Sequence, residues 1–286
     1  MSSRKDFRYF DRLRVRWAEV DMQQIVFNGH YLMYFDTAVA GYWRALAMPY
    51  HETMALLQGD LYVRKATVEY EGSARYDDQL QVGMRCARIG NSSVVFEGGC
   101  FRGDDLLVRG ELVYVFADPA TMTSKPVPPD LREVLLGFEA GKAMVDVRVG
   151  TWDELGREAQ AIRATVFIDE QKIPAEMEWD AADAECVHAV AYNRFGMALA
   201  TGRLLEHVPG TAKIGRMAVL PAMRGSGIGR AVLDALMTTA RARGEREVLL
   251  HAQTSAAPFY QRAGFQPRGP EFDEAGIAHV EMVRAL

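Results

Sequence analysis

Two stretches of the chain place apolar residues at the three- and four-residue spacing of a helix with one buried face. The first covers residues 30–48 and ends at Pro49, which cannot continue a helix. The second starts at Ile228 and stops at Gly244, a residue suited to the left-handed turn that closes many helices. The apolar positions are Leu32, Phe35, Val39, Tyr42, Trp43 and Leu46 in the first helix, and Ile228, Val232, Leu233, Leu236, Met237 and Ala240 in the second. We expect the first to be a central helix and the second to pack on a sheet.

Around the first helix lie five stretches with alternating or β-branched residues, which are typical of strands. They are Arg12–Trp17, Leu61–Tyr70, Leu80–Ile89, Ser93–Arg102 and Leu106–Phe116. Gly90-Asn91 and Gly103-Asp104 lie between consecutive strands, where hairpins need residues that tolerate positive φ. The pattern predicts one antiparallel sheet wrapped round a central helix.

Prolines interrupt the periodic pattern between Asp118 and Lys142, ahead of a short helical segment at Leu131–Phe138. After them Val145, Val147 and Val149 alternate with polar residues as a strand does, and Thr151 with Glu154 forms a capping box for a new helix. We therefore predict a first domain over residues 1–130, a linker over 131–144 and a second domain over 145–286.

Composition narrows the class of protein. A chain of 286 residues can bury two cores, and its net charge of −5 lacks the basic excess that nucleic-acid binding requires. The three cysteines are odd in number and widely spaced, which fits reduced thiols in the cytoplasm better than disulfides or a metal site. No apolar run approaches the roughly 20 residues of a membrane span, and the first ten residues are polar. The expected protein is cytoplasmic, with no nucleic-acid, membrane or metal partner.

A glycine-rich loop, Arg224-Gly225-Ser226-Gly227-Ile228-Gly229, follows the strand-like run Lys213–Leu220 and opens the second helix. Alternate glycines let backbone N–H groups at a helix start converge on an anion, and Arg224 adds positive charge, so the loop is expected to bind phosphate. A Walker loop would need Lys and Ser or Thr after the last glycine, and a dinucleotide loop would need a small residue at Arg230. Both nucleotide interpretations are weakened.

This loop stands in a specific order: strand, R-G-x-G-x-G, helix, the strand Val248–Ala252, then F-Y-x-x-x-G-F at Phe259 to Phe265. The order resembles that of the GNAT acyltransferases, which have a mixed α/β fold. The resemblance implies that Arg224, Gly225, Ser226, Gly227, Ile228, Gly229 and Arg230 hold the pyrophosphate of acetyl-CoA or another acyl-CoA. It also implies that the backbone of Met217, Ala218 and Val219 binds the pantetheine arm and that Tyr260 protonates the departing thiolate. The structural alternative for Tyr260 is a packing aromatic.

Two further features bear on the amine that would accept the acyl group. Val166-Phe167-x-x-Glu170-Gln171 and His251-Ala252-Gln253 resemble a GNAT subgroup of small bacterial proteins, and Glu170, His251 and His279 are candidate bases, none of them assigned. The acidic cluster Glu176, Glu178, Asp180 and Asp183 fits either an attraction for a cationic amine or a solvated loop.

The segment before the first helix carries Asp21, then Ile25-Val26-Phe27-Asn28 and Tyr31. It resembles the hotdog-fold acyl-CoA thioesterases of the 4-hydroxybenzoyl-CoA type, as do later strands up to about residue 130. The resemblance implies that Asp21 attacks the thioester or activates water, while Asn28 and Tyr31 line the thioester pocket beside N–H donors at the helix start. Many members have glycine where this chain has Gln24. The structural alternatives are a turn or cap for Asp21 and a core aromatic for Tyr31.

The combined prediction is an α+β fusion in which a hotdog domain hydrolyses acyl-CoA and a GNAT domain transfers an acyl group from CoA to a small amine. By resemblance, the hotdog half implies a homodimer or homotetramer. The alternatives are that one domain is active while the other is an acyl-CoA sensor or an oligomerisation module, or that the hotdog half is a dehydratase of hydroxyacyl thioesters.

Overall fold

The computed structural model describes residues 3–286, and the chain divides into two compact units, Met1–Met144 and Val145–Leu286. Each unit has its own sheet, of five strands in the first and eight in the second. The predicted α+β class is confirmed. In the part of the chain that the structure describes, no helix is long and apolar enough to cross a membrane.

The first unit is one antiparallel sheet, in the order β1-β3-β4-β5-β2, with a long helix packed against it. Its elements are β1 (Tyr9–Arg14), α1 (Asn28–Ala45), α2 (Tyr50–Leu56), β2 (Asp60–Tyr70), β3 (Gln79–Ile89), β4 (Ser93–Arg102), β5 (Asp105–Ala117) and α3 (Pro129–Glu139). The predicted hotdog architecture of a sheet and a central helix is confirmed. The first strand was expected at Arg12–Trp17 but lies earlier, because the chain leaves the sheet after Arg14 and forms a short turn at Trp17–Glu19.

A pair of glycines lets α1 approach the sheet closely. Gly98 of β4 and Gly110 of β5 are register partners, and Phe35 of α1 is fully buried above them. A Cβ atom at Gly98 would lie 2.5 Å from the Phe35 ring, and one at Gly110 would lie 2.7 Å from it. The two glycines therefore form the recess that holds the central aromatic ring of the helix.

The helix α1 ends earlier than the proline predicts. Ala47 is left-handed, with φ of 55°, and the Met48 N–H donates to the Trp43 carbonyl, so the helix closes after Ala45. Pro49 instead precedes α2 as its N-cap residue. The break thus comes from a left-handed C-terminal turn, and the proline begins the next helix.

Helix α3 packs within the first unit, although its residues lie mostly in the segment predicted as a linker. The Glu139 carboxylate accepts a hydrogen bond from the Tyr42 hydroxyl of α1 and another, 2.9 Å long, from the Cys86 N–H of β3. The Phe138 ring lies edge-on to Tyr42. These contacts join α3 to both the helix and the sheet of this unit.

The second unit is a mixed sheet in the order β11-β13-β10-β9-β8-β7-β6, with β12 paired to β13. Its elements are β6 (Val145–Gly150), α4 (Trp152–Arg163), α5 (Ala175–Glu178), β7 (Val187–Asn193), β8 (Ala198–Val208), β9 (Thr211–Val219), α6 (Ile228–Ala242), β10 (Glu247–Gln253), α7 (Ala257–Arg262), β11 (Gln266–Pro267), β12 (Phe272–Glu274) and β13 (Ile277–Ala285). A π-helix, Ala164–Glu170, extends α4. The mixed α/β architecture predicted for this half is confirmed.

Helix α6 forms as its pattern predicts. All six predicted apolar positions are at most 2% exposed, and Gly244 is left-handed with φ of 79° just beyond the helix. The capping box ahead of α4 is also present, with the Thr151 N–H donating to the Glu154 carboxylate at 2.8 Å. Local signals were therefore sufficient to predict both helices.

The central strands β9 and β10 are parallel and pair over part of their length. Their last register partners are Ile214 and Leu250, after which the two strands separate. We call this point the strand fork. Beyond it, β9 keeps its antiparallel partner β8 as far as Val219, and β10 keeps β13 as far as Gln253.

Candidate functional sites

A groove of about 570 Å³ lies along the carboxyl end of β9 and the start of α6. We call it the glycine-loop groove. It brings together most residues predicted from the GNAT resemblance: Met217, Ala218, Val219, Arg224, Gly225, Gly227, Ile228, Gly229, Arg230 and Tyr260. Ser226 belongs to the same loop, but its hydroxyl donates to the Met223 carbonyl at 2.6 Å and does not line the groove.

The backbone of the loop is shaped to receive an anion. Gly225 and Gly227 are left-handed, with φ of 80° and 86°, and no atom would lie within 4 Å of a Cβ at either position. Conformation, rather than lack of space, therefore accounts for glycine at both sites. The first N–H groups of α6 have no acceptor within the helix, and they lie at the positive end of its dipole. This arrangement favours a phosphate.

The two arginines of the loop are already paired with carboxylates. Arg224 makes two hydrogen bonds, of 2.7 and 2.5 Å, to Glu170 at the end of the π-helix, and this contact lowers the pKa of the Glu170 carboxyl. Arg230 contacts both oxygens of Asp234 one turn along α6. Arg262 also lines the groove, a cation that the sequence motifs did not indicate. A phosphate bound to Arg224 would compete with Glu170.

The strand segment Met217–Val219 offers backbone groups to the groove. On one edge Ala218 and Val219 pair with Thr201 and Ala200 of β8. On the other edge, the pairing of β9 with β10 has already stopped at the strand fork. Arg216, just before the segment, has φ of 51°, a left-handed conformation that bends the strand. The open edge is suited to amide groups of an extended ligand.

A second cavity, of about 280 Å³, lies beside the groove, and we call it the side cavity. Gln171, Met217, Gln253, Ala256 and Tyr260 line both spaces. The Gln253 side-chain amide donates to Gln171 at 2.9 Å, which joins the π-helix end to β10. Gln171 and Gln253 were visible in the two subgroup motifs but received no role from the sequence.

Tyr260 lies where the groove and the side cavity meet. It is 8% exposed, and burial raises the pKa of its hydroxyl to about 12. Edge-on contacts with Phe259 and Phe265 hold the ring. Within residues 3–286 the hydroxyl has no hydrogen-bond partner. Tyr260 is therefore a neutral tyrosine whose O–H is available to a group that enters from either side.

The acidic cluster is neither a solvated loop nor a free anionic site. Arg163 contacts Glu178 and Asp183 at 2.6 and 2.7 Å, and Arg203 contacts Asp183 and Asp180 at 2.6 and 2.7 Å. Arg216 completes the network with Glu178 and Asp180, each at 3.2 Å. Only Glu176 of the four predicted acidic residues remains outside it and exposed. The solvated-loop interpretation was wrong for Glu178 and Asp183, which are buried, and arginines match the charges of all three paired residues.

The three candidate bases do not occupy equivalent places. Glu170 lines neither space and is paired with Arg224. His251 and His279 both line the side cavity, His251 from β10 and His279 from β13. The structure therefore leaves the two histidines facing the space beside Tyr260.

In the first unit, Asp21 lies on the loop between the Trp17–Glu19 turn and α1. Its carboxylate accepts the Gln23 N–H at 2.7 Å, and its backbone bonds to Ile25 and Gln24 close the loop. Gln24 has φ of 61°, the left-handed conformation that glycine would adopt at this position. The loop thus keeps a glycine-like backbone although the residue is glutamine.

Asn28 and Tyr31 lie on the first turn of α1 in different environments. Asn28 is exposed, and its carbonyl accepts the Tyr70 hydroxyl at 3.2 Å. Tyr31 is 2% exposed, and its hydroxyl accepts the Ala74 N–H at 2.8 Å. Asn28 is thus open to a ligand, whereas Tyr31 fastens the segment at Ala74 to the helix.

A buried carboxylate, Glu19, supports the Asp21 loop and was missed from the sequence. It accepts hydrogen bonds from the Tyr34 hydroxyl at 2.8 Å and from the Arg16 N–H at 2.7 Å. Burial alone would raise the pKa of Glu19, but these hydrogen bonds outweigh it and lower the pKa. The sequence signal that could have found it is the spacing: Glu19 lies three residues after Arg16, at the third position of a short turn.

The stretch around Asp21 exposes large apolar side chains. The exposed fractions are 75% for Trp17, 101% for Met22, 52% for Phe27, 40% for Leu32 and 51% for Met33. Large apolar residues exposed in this number along a short stretch of the chain are characteristic of a surface that another molecule covers.

Comparison with known proteins identifies the second unit. Residues 157–286 match the family model of the acetyltransferase (GNAT) domain. Over 132 residues, 45% of this chain and 88% of the relative, the chain is 36% identical to the uncharacterized protein YyaT of Bacillus subtilis. A putative N-acetyltransferase from Lactobacillus plantarum is 29% identical and has a TM-score of 0.48, covering 50% of this chain and 99% of its own.

The first unit matches a different family. Residues 23–113 match the model of the thioesterase superfamily, a range that begins just after Asp21. A gentisyl-coenzyme A thioesterase of known structure is 18% identical, with a TM-score of 0.40, and covers 44% of this chain and 99% of its own. The chain therefore belongs to the GNAT acetyltransferase family through its second unit, and its first unit matches the model of the thioesterase superfamily.

Proposed function

We propose that the second unit transfers an acetyl or other acyl group from CoA to a small amine. The observation that carries this proposal is the position of Tyr260, which lines both the glycine-loop groove and the side cavity. CoA would occupy the groove and the amine would occupy the side cavity.

Each part of the groove has a role in this reaction. The glycine loop and the start of α6 bind the pyrophosphate, with Arg224 exchanging Glu170 for the phosphate oxygens. The open edge at Met217–Val219 binds the pantetheine amides as a strand would. The amine attacks the thioester carbonyl, the C–S bond breaks, and Tyr260 gives its proton to the sulfur of the departing CoA.

For the first unit we propose hydrolysis of an acyl-CoA thioester by Asp21, as nucleophile or as the base for water. The carboxylate lies on a well-defined loop ahead of α1, and the first N–H groups of that helix are donors for the developing oxyanion. Asn28, at the first position of α1, is exposed and lines the pocket in this proposal.

We further propose that a second copy of the chain covers the apolar surface formed by Trp17, Met22, Phe27, Leu32 and Met33. These residues flank Asp21 along the chain, so a homodimer would enclose the carboxylate and supply the missing walls of its pocket. A homotetramer would satisfy the same requirement by adding a second pair.

Product analysis tests both activities with the wild-type protein. Acyl-CoAs with short, long and aromatic acyl groups are incubated with and without a panel of primary amines, and free thiol and N-acylated product are measured. We expect thiol release without amine from the first unit and an amine-dependent increase, with equal amounts of amide, from the second. Absence of amide with every amine would contradict acyl transfer and favour an acyl-CoA sensor, provided that acyl-CoA still binds.

A further inference from the structure

The strand fork places His251 at the centre of the proposed reaction. His251 is the first residue of β10 beyond the last β9–β10 register pair, Ile214 and Leu250. Its ring lines the side cavity, which Tyr260 also lines, and 29% of the side chain is exposed. An edge-on contact with Phe272, at 4.9 Å between ring centres, fixes the ring. A base at this fork lies between the open β9 edge and the side cavity.

Charged groups surround the two ring nitrogens of His251 differently. Nδ1 lies 3.4 Å from Lys213 Nζ of β9 and 3.5 Å from Glu274 Oε2 of β12, and both partners line the side cavity. Nε2 lies 3.8 Å from Glu281 Oε2 of β13, which does not line it. The Lys213 ammonium group can only donate, so Nδ1 is its acceptor and the ring proton lies on Nε2. Nδ1 is then the basic nitrogen, and an entering amine takes the place of Lys213 as its donor.

The protonation state of His251 suits a base. Burial and the ammonium group of Lys213 lower the pKa of His251, while Glu274 and Glu281 act in the opposite direction. The net lowering keeps the imidazole neutral near neutral pH. When the ring does take up a proton, the two carboxylates stabilise the imidazolium.

The other acid–base groups near the cavity are less suited. Both oxygens of Glu178 are engaged by guanidinium groups, from Arg163 at 2.6 Å and Arg216 at 3.2 Å. His279 also lines the cavity, and its Nδ1–H donates to the Ile277 carbonyl at 2.8 Å, which leaves Nε2 as its basic nitrogen, but it stands on β13, one strand further from the fork. His251 is thus the titratable group of the cavity that lies at the fork itself, and His279 is the alternative base that the experiment has to exclude.

The charge balance of the side cavity indicates the class of amine. The carboxylates of Glu178, Asp180 and Asp183 are matched by three arginines. Glu274, the other carboxylate that lines the cavity, lies beside His251 and the Lys213 ammonium group, so none is left over for a second cationic group. Apolar side chains line much of the rest: Phe167, Ile173, Met177, Leu205, Ile214 and Leu250. A space of about 280 Å³ with such walls fits a small amine with an apolar body.

We propose that His251 Nδ1 is the base of the acyl transfer and that the acceptor is a small monoamine with an apolar body; this rests on the acyltransferase function proposed above. The neutral amine forms its C–N bond at the thioester carbonyl as the C–S bond breaks. One proton passes from the amine nitrogen to His251, and another passes from Tyr260 to sulfur. The proton on His251 then returns to the tyrosinate through solvent, so amine and thioester give amide and thiol.

The pH dependence of kcat for acetyl-CoA with 2-phenylethylamine tests the base. In the wild type, kcat falls in acid as the neutral imidazole is lost. We expect H251N to lower kcat by about 100-fold or more and to remove this acidic limb. The Kd for acetyl-CoA, measured by calorimetry, should change less than about twofold, because His251 does not line the glycine-loop groove. The matched control is H207N, which changes an exposed histidine of β8.

Two charge variants make the test specific to titration of His251. K213M removes a cation beside Nδ1, so the acidic limb should move to higher pH by about one unit. E274Q removes an anion, so the limb should move to lower pH. A purely structural role of His251 would not produce opposite shifts in the two variants.

The outcomes separate this inference from the function on which it rests. If wild-type protein forms no amide with any amine, acyl transfer and the base are both contradicted. If amide forms but the acidic limb survives in H251N, or disappears in H279N with His251 present, only the base is contradicted. A kcat/KM for spermidine above that for 2-phenylethylamine would overturn the proposed amine class.

Discussion

The two candidate sites differ in where their walls come from. In the second unit, residues of β9, α6, α7, β10 and the π-helix enclose the groove and the side cavity within one chain. In the first unit, Asp21 lies on a loop whose apolar neighbours are exposed, up to 101% for Met22. Two sequence motifs of similar clarity thus mark two different kinds of candidate site. The groove and side cavity of the second unit are lined by residues of one chain, whereas we propose that a second copy supplies walls for the Asp21 site.

This contrast predicts that the two activities respond differently to mutation and to dissociation of the protein. Changes at Asp21 or on its apolar surface should affect hydrolysis alone. Changes at Tyr260 or Arg224 should affect transfer alone.

The largest effect is expected for D21N. The substitution keeps the shape of the side chain but removes the negative charge that would attack the thioester or activate water, so hydrolysis without amine should fall about 1000-fold. Thiol release from a panel of acyl-CoAs measures it. D105N, at the exposed β4–β5 hairpin, is the control and should hydrolyse at the wild-type rate. Unchanged hydrolysis in D21N would remove Asp21 from the mechanism.

Y260F should reduce amine-dependent amide formation about 100-fold because the thiolate then leaves without a proton donor. The Kd for acetyl-CoA should stay within about twofold, since the aromatic ring and its packing remain. Y192F, a buried tyrosine of β7 in the same unit, provides the control. Wild-type kcat in Y260F would assign the tyrosine to packing only.

M33E should separate the copies of the chain and lower hydrolysis, with transfer unaffected. Burying an unpaired carboxylate in an apolar interface costs several kcal/mol, so a dimer should dissociate at micromolar concentration. Sedimentation measures the mass. L136E places the same charge on α3, where the leucine is 50% exposed, and should leave the assembly intact. A wild-type protein that sediments as a monomer yet hydrolyses acyl-CoA would contradict the proposed dimer.

R224A should raise the KM for acetyl-CoA about tenfold, the effect of losing one charge-assisted contact to phosphate. Pantetheine analogues, which lack the pyrophosphate, should lose no further affinity through the substitution. K172A, an exposed cation next to the π-helix, serves as the control. If pantetheine thioesters weaken as much as acetyl-CoA, the arginine acts through the fold rather than on phosphate.

The smallest effect is expected at Gln24, whose left-handed φ of 61° favours glycine. Q24G should raise the free energy of unfolding of the first unit by about 0.5 to 1 kcal/mol, because the strain exceeds the added entropy of the unfolded chain. Chemical denaturation measures it. Q58G tests the same conformation, with φ of 52°, away from the Asp21 loop. A loss of stability in Q24G would show that side-chain contacts hold the loop.

Sequence was most informative where short-range signals specify structure. The stripe of α6, the left-handed Gly244, the capping box at Thr151 and the hairpin at Gly103 all appear where they were predicted. Each of these features depends on neighbours within one or two helical turns or on a single backbone conformation. The family motifs added the two folds and most of the residues that line the glycine-loop groove.

The parts that could not be predicted depend on contacts between distant segments. The sequence around Glu178 and Asp183 favours a solvated acidic stretch, but arginines from α4, β8 and β9 neutralise both carboxylates. The same holds for the strand fork at Leu250, which depends on where two strands stop pairing. Neither charge matching nor the end of a register leaves a local pattern. The side cavity, and the reason to prefer His251 among the three candidate bases, therefore required the structure.

We propose that one chain uses acyl-CoA at two independent sites, and a comparison of two single variants with the double variant distinguishes this from a shared site. Thiol release from acetyl-CoA is measured for the wild type, D21N, Y260F and the double variant, each with and without amine. We predict that D21N removes amine-independent release, that Y260F removes the amine-dependent increase, and that the double variant has neither. Loss of both activities in either single variant, or of neither in the double variant, would contradict the account.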